Sequence, residues 1–331
     1  MDTYLAPHWL PGGHAQTVWP LLLKGEIPAY RRERWNTPDA DFIDLDWIDG
    51  KPGGEKAAPL LVLFHGLEGS SRSHYARSLM RAVGRRGWRG VVVHCRGCGG
   101  EPNLLPRAYH SGDSAEVDWV LRRMRQENAG LLFAAGVSLG ANCLLKWLGE
   151  RGEAARTVVA AAAAVSAPLD LAAANESLSH GLNRLYARHF LKTLVPAALA
   201  KEQRFPGLLS TRDVLSARTL RDFDEAVTAP LHGFRGAADY YAQSSAGQFL
   251  GGVRVPTLIV NSRNDPFLPA AFLPETSHLA ATITLETPAA GGHVGFVGGS
   301  FPGHLDWLPY RLLTFFDHLA GIGQYNNLVD N

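Results

Sequence analysis

Short apolar runs and amphipathic stretches alternate along most of the chain. Runs near 42–48, 60–65, 90–95, 130–136, 157–166, 256–261 and 282–287 have the length of strands, and the unbroken ones read as buried. Between and after them, 74–86, 113–127, 139–150 and 307–320 place apolar residues at helical spacing. That alternation predicts an α/β fold with a mostly parallel, doubly wound sheet. The pattern breaks twice. The interval from Ala167 to Val255 is far longer than an ordinary helix-to-strand connection, and it carries apolar periodicity such as 182–199. It predicts a helical cap over 168–250, with one core helix (237–249) returning at its end. Residues 1–40 hold Pro7, Pro11, Pro20 and Pro28 with Trp9, Trp19 and Trp35, and predict an arm with little regular structure that wraps the core. The core would then be 41–167 with 251–322, leaving 323–331 as a tail.

The chemistry-bearing residues fall at ends of predicted strands. Gly136-Val137-Ser138-Leu139-Gly140 lies where the apolar run Leu131-Leu132-Phe133-Ala134-Ala135 meets a helical stretch, so Ser138 occupies a sharp strand-to-helix turn that glycines allow neighbouring backbone to approach. A serine hydroxyl is a poor nucleophile near pH 7 and needs a base and a group to orient that base. Asp265 follows the predicted strand ending at Asn261, where open α/β sheets build their sites. His293 follows the next strand, in a loop whose Gly291-Gly292 can aim an imidazole at the elbow. Folds built on such an elbow carry their triad in the chain order Ser, Asp or Glu, His, and Ser138, Asp265 and His293 are the expected nucleophile, acid and base. Asp170 is the alternative acid and His304 the alternative base, although His304 fits a surface or capping role. His14, His65 and His110 precede the elbow and fit the order badly. An oxyanion needs two backbone N–H donors. One is Leu139; the turn His65-Gly66-Leu67-Glu68 after the 60–65 strand offers Leu67 as the other, with Glu68 expected to face solvent or to pair with an arginine such as Arg72.

Together these strings resemble the YheT-like esterase branch of the α/β-hydrolase superfamily. The resemblance spans nearly the whole chain: Pro11-Gly12-Gly13-His14-Ala15-Gln16-Thr17-Val18-Trp19-Pro20, His65-Gly66-Leu67-Glu68-Gly69-Ser70-Ser71, Arg96-Gly97-Cys98-Gly99-Gly100-Glu101-Pro102-Asn103, the elbow through Asn142, Ala217 through Asp224, Asn264-Asp265-Pro266-Phe267 and Gly291-Gly292-His293-Val294-Gly295-Phe296. Several of these are peculiar to the branch. The resemblance implies the same three residues as the bare reading. Its eukaryotic relatives include lipid-directed hydrolases and ester-forming acyltransferases, so a small ester or lipid-like substrate is implied. Ester hydrolysis through an acyl-serine is the expected activity. Acyl transfer to an alcohol by the same triad is the alternative, and a non-catalytic scaffold the remote one.

Composition narrows the partners. With a net charge of +1, 46% hydrophobic and 19% charged residues, the chain is globular and offers no electrostatic case for nucleic acid. No apolar run reaches the roughly 20 residues that span a bilayer, which leaves peripheral membrane contact open. No secretory signal is visible. Three cysteines argue against a disulfide framework and for a cytoplasmic setting. Cys95 and Cys98 form a C-x-x-C with no second pair to complete a zinc site, and no cofactor or metal is expected.

Overall fold

The computed structural model describes residues 3–23, 25–50 and 58–321. Eight strands form one sheet in the order β1-β2-β4-β3-β5-β6-β7-β8. They are β1 (Arg31–Asn36), β2 (Phe42–Ile48), β3 (Leu60–Phe64), β4 (Arg89–Val93), β5 (Leu132–Val137), β6 (Ala161–Val165), β7 (Thr257–Val260) and β8 (Ile283–Glu286). Strands β3 to β8 run parallel, while β2 pairs antiparallel with both β1 and β4. The expected mostly parallel sheet is therefore present.

Both faces of the sheet are buried, as a parallel sheet requires. One face, with Leu60, Val62, Ala134 and Ala162, packs on α3 (Ser114–Glu127) and α4 (Leu139–Arg151). The other, with Leu61, Leu63, Phe133 and Ala163, packs on α2 (His74–Arg85) and α11 (Trp307–Leu319). Alanine dominates β6, and at this strand small side chains let helix and sheet lie close. In register, Phe64 lies beside Gly136, Val137 beside Val165, Val165 beside Val260, and Val260 beside Glu286. The C-terminal ends of β3, β5, β6, β7 and β8 thus open on a single edge.

The first 40 residues depart from the expected irregular arm. Residues 13–18 form a short helix, α1 (Gly13–Val18), and β1 is an edge strand. Arg32 lies opposite Asp46 and Arg34 opposite Asp44 on β2, each as a two-pronged ion pair. A strand built on cross-strand ion pairs and a single buried Trp35 has no apolar run to announce it.

Residues 168–250 carry α5 (Leu171–Leu178), α6 (Arg184–Arg204), α7 (Thr211–Ser216), α8 (Leu220–Phe223), a π-helical turn (Asp224–Thr228), α9 (Ala229–His232) and α10 (Ala237–Ser244). They have an apolar cluster of their own, centred on Leu191, Val214, Phe223 and Val227. The single returning helix expected at 237–249 divides into α10 and a 3-10 segment (Ala246–Gly252) that packs against Gly149 of α4. Both the expected tail at 323–331 and residue 322, the end of the expected core, lie outside the described residues.

Candidate active site

Ser138 sits between β5 and α4 with φ 53° and ψ −118°, a conformation costly for any residue but glycine. The surrounding backbone leaves it no alternative. Its N–H donates to Val165 O on β6, and its own carbonyl accepts from Asn142 N in the first turn of α4. The flanking glycines are required by contact. A Cβ on Gly136 would fall 2.6 Å from Ala141 Cα, and one on Gly140 would fall 2.6 Å from His65 O. Helix, elbow and the β3 turn can approach only because both positions are bare.

The structure brings the three sequence-predicted residues together. His293 Nε2 lies 3.0 Å from Ser138 Oγ, and its Nδ1 lies 2.8 Å from Asp265 Oδ2. The carboxylate is an acceptor only, so the proton belongs on Nδ1, which leaves Nε2 to accept from the serine hydroxyl. The other carboxylate oxygen, Asp265 Oδ1, accepts from Phe267 N at 2.8 Å. Phe267 stacks on the imidazole with ring centres 4.2 Å apart and closes that face to water. The alternatives are elsewhere: Asp170 caps α5 by accepting from Ala173 N, and His304 is exposed beside Asp306. His110 packs against His232, and His14 stacks on Tyr186.

The β3 turn approaches Ser138 so closely that a Cβ on Gly66 would meet Ser138 Cβ at 3.1 Å. Three successive amides point out of that turn, and two have partners. Gly66 N donates to Tyr75 Oη at 2.9 Å and Glu68 N to Tyr109 Oη at 3.0 Å. Among the described residues the Leu67 amide has no acceptor, and neither does Leu139 N at the start of α4. Leu139 directly follows Ser138, and Leu67 directly follows the glycine that meets Ser138 Cβ. Glu68 is exposed, as expected, and it also contacts a tyrosine. Its carboxylate accepts from Tyr109 Oη at 2.6 Å, and the residue adopts φ 54°. The same tyrosine thus holds both its backbone and its side chain.

His65 sets the other side of the turn. Its Nε2 accepts from Cys95 N at 3.0 Å and its Nδ1 donates to Gly66 O at 2.7 Å. Burial pushes its pKa down to about 4, so the ring stays neutral and keeps this tautomer.

A sequence profile of the alpha/beta hydrolase fold matches residues 59–300. The chain belongs to the α/β-hydrolase family. It is 39% identical to the candidate esterase YheT of Escherichia coli K12 over 305 residues, 90% of this chain and 88% of that protein, which places it in the YheT-like branch. It is 32% identical to mouse phospholipase ABHD3 over 91% of this chain and 75% of that one. In three dimensions it superposes on the ferulate-bound Est1E of Butyrivibrio proteoclasticus with a TM-score of 0.54, covering 89% of this chain and all of the other at 15% identity.

In this hydrolase the loop carrying His293 is held at each of its residues from 291 to 294. Four consecutive amides each donate to a side-chain oxygen from outside the loop. Gly291 N donates to Gln16 Oε1, Gly292 N to Asn264 Oδ1, His293 N to Thr17 Oγ1 and Val294 N to Ser166 Oγ, at 2.9 to 3.1 Å. Ser262 Oγ donates to Gly292 O and His74 Nε2 to Val294 O. Sequence reasoning found none of these partners, because each is remote in the chain from the residue it holds. One signal was available in the string from Pro11 to Pro20, which is part of the resemblance yet lies far in sequence from Ser138, Asp265 and His293.

The cap completes the surroundings. Its apolar cluster includes Phe267, which stacks on His293, and packs against Leu67 of the turn after β3. Tyr186 and Phe190 of α6 sit edge-on to Phe267 at 4.7 and 6.4 Å. Lys201 and Arg204, near the end of the same helix, bond to Asn103, Leu104 and Leu105 of the core. Cys95 and Cys98 are free thiols, and burial raises both pKa values, Cys98 to about 12. No helix among the described residues is long and apolar enough to cross a membrane.

Proposed function

We propose that this α/β-hydrolase cleaves carboxylic esters through an acyl-serine intermediate, with Ser138 as nucleophile, His293 as base and Asp265 as its orienting acid. The observation that carries the reading is the unbroken relay from Ser138 Oγ to His293 Nε2 and from Nδ1 to Asp265, with two unpartnered amides beside the serine. In the first half-reaction His293 takes the hydroxyl proton as Ser138 Oγ attacks the carbonyl carbon. The oxyanion then faces Leu67 N and Leu139 N, and His293 passes its proton to the departing alcohol oxygen. In the second half water takes the alcohol's place, gives its proton to His293, and the acid leaves as Ser138 recovers its hydrogen. Asp265 keeps the imidazole in the working tautomer and stabilises its cation.

Leu67, Phe267, Tyr186 and Phe190 offer an apolar boundary on the cap side, which suits a hydrophobic acyl group. The names of the esterase and phospholipase relatives agree with an ester or lipid-like substrate. The test is hydrolysis of p-nitrophenyl esters of increasing acyl length by the wild type and by Ser138→Ala and His293→Ala. Turnover that falls by about 10⁴ or more in either variant supports the triad. Activity within tenfold of wild type in Ser138→Ala overturns it.

A further inference from the structure

The N-terminal segment is built into the site. Gln16 is 2% exposed, and its single carbonyl oxygen accepts from both Asn264 Nδ2 and Gly291 N, each at 2.9 Å. One side chain therefore ties the loop beside the acid to the loop beside the base. Its amide nitrogen donates to Leu10 O at 2.9 Å, which fixes the oxygen's direction. Thr17 Oγ1 donates to Gly13 O at 2.7 Å and in return accepts from His293 N at 2.9 Å. The fit is close on both sides. A Cβ on Gly13 would overlap Asn264 O, one on Gly292 would fall 2.8 Å from Gly13 O and Thr17 N, and one on Gly295 would overlap Gln16 O. Interlocking of this kind is more than a covering arm needs.

We infer that Gln16 and Thr17 are positioning residues that set the reach of His293 to both Asp265 and Ser138. The inference rests on the ester-hydrolase reading for its kinetic arm. Its structural arm stands on the hydrogen bonds alone. His293 spans only 2.8 Å on one side and 3.0 Å on the other, so a shift of its backbone lengthens one contact or the other. Thr17 fixes that backbone at its own N–H, and Gln16 fixes it two residues earlier. Neither touches the reacting atoms. Their effect should therefore fall on turnover and leave substrate binding alone.

The experiment uses the full chain and four variants: Thr17→Val, which keeps the shape and removes the acceptor, Thr17→Ser, which restores it, Gln16→Met, and His293→Ala as the marker. Two readouts are taken. One is kcat and KM on a p-nitrophenyl ester; the other is the far-downfield proton NMR signal of His293 Nδ1–H bonded to Asp265, assigned by its loss in His293→Ala. Thr17→Val is expected to lower kcat about 10- to 100-fold with KM within about twofold, and to broaden the downfield signal through solvent exchange. Thr17→Ser is expected to keep both near wild type, and Gln16→Met to behave like Thr17→Val. Wild-type kcat with an intact signal in both Thr17→Val and Gln16→Met would overturn the inference. So would a fall in thermal stability without any change in kcat or signal, which is the mark of a merely structural role. Should Thr17→Val not accumulate as folded protein, Gln16→Met decides in its place. If the wild type hydrolyses no ester and Ser138 takes no fluorophosphonate label, the ester reading falls, while the downfield signal still decides the positioning.

Discussion

Replacing Ser138 by glycine should leave the protein more stable than replacing it by alanine, although both changes remove the nucleophile. The reasoning starts from φ 53° and ψ −118° at this position. A side chain held in such a conformation costs about 1–3 kcal/mol, and glycine escapes that cost. Against this, glycine adds freedom to the unfolded chain, worth about 0.5–1 kcal/mol. Both variants lose the Ser138 Oγ to His293 hydrogen bond, so that contribution cancels between them. The difference favours glycine by roughly 0.5–2 kcal/mol. With a urea m-value of about 3 kcal/mol/M, the glycine midpoint should lie roughly 0.2–0.7 M above the alanine midpoint. Equilibrium urea unfolding followed by tryptophan fluorescence measures it. A glycine variant that unfolds at lower urea than the alanine variant would refute the idea that the elbow is held under strain by its neighbours.

Other perturbations separate the parts of the site. Asp265→Asn should lower kcat by about 10⁴ through the wrong imidazole tautomer, whereas Asp170→Asn should leave kcat unchanged and alter only the cap of α5; the reverse pattern in steady-state kinetics would assign the acid elsewhere. Gly140→Ala places a methyl against the backbone carbonyls of Phe64 and His65 and should prevent the helix from docking, seen as loss of soluble folded protein or a sharply lower melting temperature. Phe190→Ala opens the cap side of the site and should move the preferred p-nitrophenyl acyl chain to greater length; an unchanged length profile would place the acyl group away from α6. Acid should destabilise the fold in a defined window. Burial holds His65, His74 and His110 to about 4 and His232 to about 3, so these rings are neutral in the fold but protonate near 6.5 in the unfolded chain. Their contribution is complete above 6.5 and is lost as pH falls toward 4. Asp224, raised to about 6 by burial, and Glu116, raised to about 7, act in the opposite direction, but two carboxyls do not offset four imidazoles. Urea midpoints should therefore fall steadily between pH 6.5 and 4.5, and a flat profile would contradict the neutral imidazoles.

The sheet was legible because its central strands are apolar on both faces and cannot be mistaken for amphipathic helices. The strands β2 to β8 fall within a few residues of the runs that announced them. Strand β1 was hidden for a physical reason: Arg31-Arg32-Glu33-Arg34 reads as a solvated segment until Asp44 and Asp46 are seen opposite it. The meeting of Ser138, Asp265 and His293 was legible because the elbow motif is local and the other two each follow an apolar strand. Their supports were not. Tyr109, Gln16, Thr17 and Ser166 act on backbone amides far away in sequence, and a polar side chain bound for a distant amide looks like any surface residue. Glu68 shows the same gap, since its partner Tyr109 lies 41 positions on.

The account turns on a covalent acyl group at Ser138. Mixing the protein with excess p-nitrophenyl ester, quenching in acid within the first turnover and mapping the peptides by mass spectrometry tests it directly. The prediction is one equivalent of p-nitrophenol released in a burst and the acyl mass on the peptide containing Ser138, both absent from Ser138→Ala. Ester turnover with no acyl mass on that peptide, or an acyl group retained at another residue in Ser138→Ala, would contradict it.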